Sequence, residues 1–313
     1  MSKEFTFEPS DWIPFKDKEV LERCRNIKRE DMEKHDNPDF KIKIVPDYSG
    51  IVIADMVLRM KESDDEDKSL VMVLPNPDPS GYSQVAETVN HLRINCRNVN
   101  LVIMDEWADE EGNIAPITYK AGFSYSCLKY FVNQIDEDLR MPLENVIYPT
   151  NENKNDYSKI IEDRGNGGAD VFYGGPGWAG HVAFVDPLTP EFETDSLEEF
   201  LEMGSRIVTL HPLTIIQNSL HGTFGQAGDI ANVPPRAFSL GPKDIMNCRE
   251  RIQRHGIMTS GTASSWQKMI SRLTLYGPVT PLIPYSIMQL CPTRAYVSEA
   301  MAAPIEPNEL KGY

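Results

Sequence analysis

The sequence is short of basic residues, of paired cysteines and of long apolar segments. Its 313 residues carry 31 Lys and Arg against 47 Asp and Glu, which gives a net charge of −16. Surfaces that bind nucleic acid or anionic membranes need clustered basic side chains to neutralise phosphates. The charge balance therefore argues against both kinds of partner.

The five cysteines are far apart and form no CxxC pair, and the six histidines show no paired ligand spacing. A disulfide framework and a zinc site are therefore not predicted, and we expect neither a metal nor another cofactor. No stretch approaches the roughly 18 apolar residues of a membrane span, and the first residues lack the apolar run of a signal peptide. We expect a cytoplasmic protein without a membrane segment.

The sequence does contain enough apolar material for a large core, 41% of all residues. From residue 40 onward, short continuous apolar runs alternate with segments of helical spacing. The runs predicted as strands are 40–45, 70–74, 100–104, 170–173, 237–240, 257–259 and 295–297. The segments predicted as helices are 50–60, 85–92, 128–135, 213–220 and 266–275. This alternation predicts an α/β fold with a parallel sheet that helices cover on both faces.

Residues 1–39 are interpreted as an N-terminal extension with a helix over 18–34, and residues 40–313 as a single domain. The boundary is placed at the Asn-Pro pair 37–38, which is typical of turns. The acidic run 62–67 is predicted to be a solvent-exposed loop.

Ligands of such sheets bind outside the carboxyl ends of the strands, so the loops that follow strands are the candidate sites. The loop after 100–104 contains Asp105 and Glu106. Successive side chains at a strand end point to opposite sides. One carboxylate is therefore able to face a cleft while the other serves the structure.

The loop after 170–173 combines glycine with a titratable group. The loop contains His181, a residue type with an ordinary pKa near neutrality, and Asp186 follows it by five residues. Glycine lets the backbone approach a ligand closely. We therefore predict a functional loop. Its glycines are Gly174, Gly175, Gly177 and Gly180.

The loop 75–82 joins a strand to a helix and exposes N–H groups where an anion could bind. Its three prolines lack donors, and Asp78 adds a negative charge. We expect a rigid turn in preference to a phosphate cradle, with Ser80 and Gly81 as candidates for substrate contacts.

Together these loops resemble the glucosamine-6-phosphate deaminase/isomerase family. Its members carry a strand ending in M-D-E-Y and a later loop G-G-x-G-x-D-G-H-I-A-F-N-E-P. This sequence has M-D-E-W at 104–107 and G-G-P-G-W-A-G-H-V-A-F-V-D-P at 174–187. The order of matching segments holds over roughly residues 40–300. The resemblance implies a Rossmann-like three-layer αβα sandwich with a doubly wound, mostly parallel sheet.

The resemblance also implies aldose–ketose isomerisation of an amino sugar phosphate such as glucosamine 6-phosphate, with release of ammonia. The aspartate of the family's M-D-E segment moves a proton between C1 and C2, and its G-H histidine assists ring opening. These positions are Asp105 and His181, and Asp186 matches a carboxylate that holds the histidine. Glu106, the four glycines and Lys268 are the further candidates for substrate contacts.

Two departures affect the proton-transfer residues. The family has a carboxylate two residues before the histidine, where this chain has Ala179, and a glutamate in place of Asp186. The histidine is therefore expected to lose one partner and to keep a second that is a methylene shorter. A misplacement of about 1 Å can cost about a hundredfold in rate.

The positions that bind the phosphate in the family differ more strongly in this sequence. The family's loop P-T-G-G-T-P corresponds to 75–80, which lacks the paired glycines, and its arginine after N-S is Leu220. Its phosphate-binding lysine falls near Ser264 or Gln267. Cations that could compensate are Arg206, Lys243, Lys268 and Arg272.

The family also has a mobile lid, which places a lid-like segment at about 188–235. Its first part, 188–204, is acidic and would repel an anionic substrate unless the charges point outward.

The leading hypothesis is an isomerase/deaminase whose ligand is a small sugar or sugar phosphate. Two alternatives stay open. One is a hydrolase similar to 6-phosphogluconolactonase, in which the histidine activates water. The other is a sugar-binding or regulatory protein that has lost turnover. A homo-oligomer is compatible with each hypothesis.

Overall fold

The computed structural model describes residues 5–75, 77–256 and 267–306. The strands of these residues are β1 (Phe40–Val45), β2 (Leu70–Leu74), β3 (Val99–Ile103), β4 (Asp105–Ala108), β5 (Val146–Ile147), β6 (Val171–Gly174), β7 (Arg206–Thr209), β8 (Arg236–Ser239), β9 (Glu250–His255) and β10 (Thr293–Ser298). The helices are α1 (Lys18–Arg25), α2 (Ser49–Glu66), α3 (Pro79–Leu92), α4 (Phe123–Tyr130), α5 (Tyr157–Arg164), α6 (Leu197–Leu201), α7 (Pro212–Ser219), α8 (Pro242–Met246), α9 (Lys268–Tyr276) and α10 (Glu299–Ala302).

Seven of these strands form a parallel sheet in the order β1-β10-β9-β6-β2-β3-β5. Every residue of β2 and β3 is buried, as expected for central strands covered on both faces. Helices flank the sheet, and the predicted α/β sandwich is confirmed.

The order of the strands places a topological switch point between β2 and β6. After β2 the chain builds outward through β3 and β5, and it then returns to β6 and builds in the other direction through β9 and β10. The loops that follow β2 and β6 therefore diverge and leave a crevice at their carboxyl ends. These are the connection between β2 and α3, with the described residues 75, 77 and 78, and the glycine-rich loop that contains His181.

A second, antiparallel sheet has the order β4-β8-β7. It continues directly from β3, since Met104 alone separates β3 from β4. The Met104 N–H donates to the Leu74 carbonyl at 3.4 Å, and the Leu240 N–H donates to the Met104 carbonyl at 2.9 Å. The small sheet is thereby attached to the strand ends of the large one.

The structure corrects four predicted elements, and the first is the acidic run. The acidic run 62–67 is not a loop, because α2 continues to Glu66 and ends at Asp67 in a left-handed conformation. Met60 and Ser63 extend the buried face of the helix, and Lys61 pairs with Asp65 across one turn on the exposed face.

The helix predicted over 128–135 is also shifted. α4 begins at Phe123 and ends at Tyr130, and a short 3-10 helix follows at Val132–Gln134. The apolar spacing continued through both segments and concealed the break at Phe131.

Strand 237–240 exists as β8, but it belongs to the antiparallel sheet and not to the parallel one.

The strand predicted at 257–259 lies outside the described residues. The parallel sheet contains β9 just before it, at Glu250–His255. This strand has Arg251, Gln253 and His255 as buried residues, so it lacks an apolar signature.

The N-terminal helix is shorter than predicted, since α1 ends at Arg25 and a 3-10 turn follows at Arg29–Asp31. α1 packs on the domain through a small apolar cluster of Cys24, Leu273 and Ile283. Within the described residues, no helix has the length and apolar character needed to cross a membrane.

Candidate active site

The small sheet connects Asp105 with the loop that contains His181. Asp105 is the first residue of β4 and pairs with Ser239 of β8. The Phe184 N–H donates to Ser239 Oγ at 2.9 Å, and the Phe184 ring lies 6.3 Å from the His181 ring. Asp105 and His181 are therefore connected through two intervening residues, although 76 positions separate them in the sequence (181 − 105).

His181 is held by two hydrogen-bonded side chains, those of Asp186 and Thr214. Its Nδ1 lies 2.8 Å from Asp186 Oδ1 and 2.8 Å from Thr214 Oγ1. The Thr214 hydroxyl donates to Asp186 Oδ1 at 2.6 Å, and the His211 N–H donates to Asp186 Oδ2 at 2.8 Å. Both oxygens of Asp186 are occupied, so the carboxylate is fixed, and it in turn fixes the orientation of the imidazole.

Thr214, on the first turns of α7, was missed by the sequence argument. It provides a hydroxyl contact to the histidine in a chain that has Ala179 where the family has a carboxylate. Ala179 is buried, with 5% of its surface exposed. The only sequence signal was a threonine near the start of a predicted helix, and such a threonine is common.

Gly177 lies directly against the His181 ring. A Cβ atom at this position would be 1.8 Å from Nε2, far inside contact distance. Gly180 has φ +76°, in the left-handed region that favours glycine. The glycine-rich loop therefore serves two purposes, the reversal of the chain and the close seating of the imidazole.

Asp105 is enclosed, with 6% of its surface exposed, as is His181. Among the described residues, Asp105 Oδ1 has no hydrogen-bond partner. Burial, and secondarily the Glu106 carboxylate, raise the pKa of Asp105 well above its ordinary value. A carboxyl group without a local partner and with a raised pKa is a candidate for proton transfer.

Glu106 points away from Asp105 and caps α4. Its carboxylate accepts hydrogen bonds from the N–H groups of Trp107 (2.9 Å), Phe123 (3.1 Å) and Ser124 (2.7 Å). Burial raises its pKa, and the Ser124 side chain and these N–H groups oppose the rise. The structure thus gives Glu106 contacts that hold β4 and α4 together, and none of these contacts is to the glycine-rich loop.

The histidines around His181 are kept neutral by their surroundings. Burial lowers the pKa of His221 to about 4, and His181 adds to this effect. Burial also lowers the pKa of His211. In the described ranges, no group of three or more His, Cys, Asp or Glu side chains is arranged to hold a metal ion.

At the other side of the crevice, Asp78 precedes α3 and caps it. Asp78 Oδ1 accepts a hydrogen bond from the Gly81 N–H at 3.1 Å, and Asp78 Oδ2 accepts one from Arg254 Nη1 at 2.6 Å. Ser80 lies on the exposed surface and contacts Gln84. Arg254 of β9 is a cation that contacts this loop, and it was not among the basic residues named from the sequence.

The four basic residues named from the sequence contact other partners. Arg206 donates to the carbonyls of Gly204 and Glu191, and Lys243 lies 3.7 Å from Glu162. Lys268 donates to the Pro304 carbonyl at 3.3 Å. The guanidinium of Arg272 binds carbonyls at the end of α10 and after it, those of Met301, Ala302 and Ala303.

Two cavities lie near the site without including Asp105 or His181. One of about 500 Å³ is lined by Trp107, Ile114, Tyr119 and Val233, among others. Another of about 300 Å³ is lined by Trp178, Leu213, Ile216 and Leu220, beside the glycine-rich loop. Asp105 and His181 are themselves buried.

The doubly wound sheet, with a glycine-rich histidine loop at its strand ends, is a fold that solved structures of other proteins share. A monomeric glucosamine-6-phosphate deaminase has a similar fold, with a TM-score of 0.64 at 17% identity over 84% of this chain and 99% of that one. A 6-phosphogluconolactonase from Trypanosoma cruzi has a TM-score of 0.58 at 15% identity, and the match covers 86% of this chain and 98% of that one. At these identities the likeness concerns the fold alone.

Sequence comparison gives the narrower assignment. The chain is 30% identical to a glucosamine-6-phosphate deaminase of Dictyostelium discoideum over 205 residues, which are 64% of this chain and 67% of the relative. It is also 30% identical to a glucosamine-6-phosphate deaminase of Caenorhabditis elegans over 202 residues, which are 62% of this chain and 67% of the relative. No known family profile matches the sequence. The chain belongs to the glucosamine-6-phosphate deaminase family.

Proposed function

We propose that this protein isomerises an amino sugar phosphate, such as glucosamine 6-phosphate, from aldose to ketose and releases ammonia. The observation that carries the proposal is the buried Asp105 carboxyl, with no hydrogen-bond partner on Oδ1 among the described residues. It is linked through Ser239 and Phe184 to an imidazole held by Asp186 and Thr214. A base and an acid–base group at the same strand ends are what the reaction needs.

The proposed chemistry begins with ring opening, which exposes the C1 aldehyde and is assisted by His181. Asp105 then takes the proton from C2 while the C1 oxygen gains a proton, which gives an enolamine. Return of a proton to C1 leaves a CH2OH group there. The C2 amine becomes an imine, water adds to it, and ammonia leaves a ketone at C2. Asp186 and Thr214 act through His181 by holding its ring.

The direct test is to incubate the purified protein with glucosamine 6-phosphate and to measure ammonia and fructose 6-phosphate. Asp105→Asn removes the base and keeps the shape of the side chain. We expect a fall in kcat of about 10²–10⁴-fold, the usual contribution of a positioned acid–base group.

The matched control is Asp163→Asn, which makes the same chemical change at an exposed residue paired with Lys159. It should leave turnover unchanged. Full turnover by Asp105→Asn would remove Asp105 from the mechanism. Thermal stabilisation by sugar ligands without any product would favour the sugar-binding alternative. Acid release from a sugar lactone would favour the hydrolase.

The proposal places the reaction in a reducing cytoplasm, since the five cysteines are all unpaired and buried. The ligand is a small molecule, and assembly into a homo-oligomer is compatible with the mechanism. Size-exclusion chromatography with light scattering would measure the assembly state.

A further inference from the structure

The Asp78–Arg254 pair joins two of the strand ends that surround the crevice. Arg254 lies near the end of β9, and Asp78 lies in the loop after β2. The pair is partly sheltered, with 23% of the Arg254 side chain and 28% of the Asp78 side chain exposed. It is therefore neither a free surface pair nor a fully buried one, and solvent can reach it.

The Asp78 carboxylate contacts two donors that would otherwise be able to bind an anion from solution. One oxygen accepts from a free N–H at the start of α3, and the other accepts from the guanidinium of Arg254. Backbone N–H groups at a helix start and a guanidinium are the donors that bind phosphate in proteins. The side chain of Asp78 occupies both.

The pair is continuous with the proton-transfer residues. A Cβ atom on Gly175 would meet the Arg254 carbonyl oxygen at 2.4 Å, so the glycine-rich loop rests on the backbone of Arg254. The Tyr82 hydroxyl of α3 donates to the Pro75 carbonyl, just after β2. Burial raises the pKa of Tyr82, and Asp78 adds to the rise.

We infer that Arg254 is the residue that binds the anionic group of the substrate, and that Asp78 is an internal anion which the substrate displaces from it. The inference rests on the proposed function for the identity of the anion, a phosphate monoester. Ligand binding is then an exchange of one anion for another on the same guanidinium.

The exchange is physically favoured for a dianion. A phosphate monoester carries more negative charge than the Asp78 carboxylate and offers three acceptor oxygens to the guanidinium and the helix start. Asp78 has a short side chain at a helix cap, so rotation about its own bonds is enough to release Arg254. Its departure also leaves the Gly81 N–H free to bind phosphate.

The test is calorimetric titration of inorganic phosphate and of glucosamine 6-phosphate into the full-length protein and two variants. Arg254→Gln should weaken binding of both anions by about 10- to 100-fold, since a charge-assisted contact is lost. Asp78→Asn should tighten it by about tenfold, because the competing charge is removed. Asparagine caps helices as well as aspartate does, so the second variant keeps α3 intact.

Asp163→Asn serves again as the control for a changed net charge and should bind both anions as the unmodified protein does. Equal phosphate affinity in Arg254→Gln and the unmodified protein would overturn the inference. Unchanged or weaker binding in Asp78→Asn would show that Asp78 does not compete and would also overturn it. Circular dichroism of each variant verifies that the fold is retained.

The inference and the proposed function fail separately. If the protein makes no ammonia but phosphate binding follows the expected order of the variants, the anion exchange stands and the proposed function fails. If ammonia is made and Arg254→Gln leaves the KM for glucosamine 6-phosphate unchanged, the proposed function stands and the anion exchange fails.

Discussion

The two ends of the crevice have changed to different extents from the family pattern. At the proton-transfer end, Asp105 and His181 are retained, and the loss of a carboxylate at Ala179 is accompanied by a hydroxyl from Thr214. At the anion-binding end, the glycine pair is absent and Asp78 is paired with Arg254. One end has the residues of the family pattern at Asp105 and His181, and the other end lacks them.

The difference follows from what each end must do. Proton transfer needs donor and acceptor within hydrogen-bond reach of a particular carbon, so small displacements cost large factors in rate. Recognition of an anion needs positive charge and N–H groups at the right place, and several side chains can supply them. The anion-binding end is therefore free to exchange one cation for another.

Gly177→Ala is the variant expected to break the proton-transfer end most completely. The added Cβ would sit 1.8 Å from His181 Nε2, so the imidazole must move. A displacement of about 1 Å predicts a fall in kcat of about a hundredfold. Phosphate affinity should change little, since Arg254 and Asp78 keep their positions. Steady-state kinetics and phosphate titration of the same preparation measure both quantities.

Gly222→Ala is the matched control, because a Cβ at Gly222 would meet no atom within 4 Å. It should have the kinetics of the unmodified protein. Normal turnover by Gly177→Ala would mean that the position of His181 does not limit the reaction.

Thr214→Val should lower kcat by a smaller factor than Gly177→Ala does. Valine has nearly the same shape but lacks the hydroxyl that contacts both His181 Nδ1 and Asp186 Oδ1. We expect kcat to fall by about tenfold, the value of one hydrogen bond to a charged partner. The pH dependence of kcat should change as well, because the surroundings of the imidazole differ.

Thr214→Ser restores the hydroxyl and should recover most of the lost rate. If serine fails to recover it while both variants keep the fold, packing of the threonine methyl group would explain the loss, and the hydrogen bond would not.

The sequence was sufficient for the parts of the fold that have simple patterns. Continuous apolar runs located β1 and β2 at their observed bounds. The rule that ligands bind at strand ends then selected the loops with Asp105 and His181. These predictions need only local patterns and one general rule about parallel sheets.

The strand and the site residue that the sequence did not predict, β9 and Thr214, depend on contacts between distant segments. β9 was missed because its buried polar side chains are satisfied elsewhere in the fold: the Arg251 guanidinium binds the Ile245 carbonyl, and His255 pairs with Gln253. Without the strand, Arg254 could not be placed at a strand end. Thr214 lies 33 residues after His181, and only the packing of α7 brings them together.

The smallest expected effect is on the stability of the folded protein. Its dependence on pH should distinguish Asp105 from carboxylates on the surface. Because burial raises the pKa of Asp105, the unfolded chain ionises this group at lower pH than the folded chain does. Below about pH 4 both states are protonated and the group has no effect. As pH rises through the interval up to the raised pKa, the folded state becomes progressively less stable relative to the unfolded state.

Asp105→Asn cannot ionise, so it should be more stable than the unmodified protein at pH 7 and no more stable at pH 4. We expect a higher Tm than that of the unmodified protein at pH 7, because the cost of ionising the buried carboxyl group is removed. Scanning calorimetry at the two pH values measures it, with Asp163→Asn as the exposed counterpart that should show no such gain. Equal Tm values at pH 7 would mean that the folded protein stabilises the Asp105 carboxylate as well as water does. The crevice would then be open to solvent at its proton-transfer end, and the contrast with the solvent-accessible anion end would disappear.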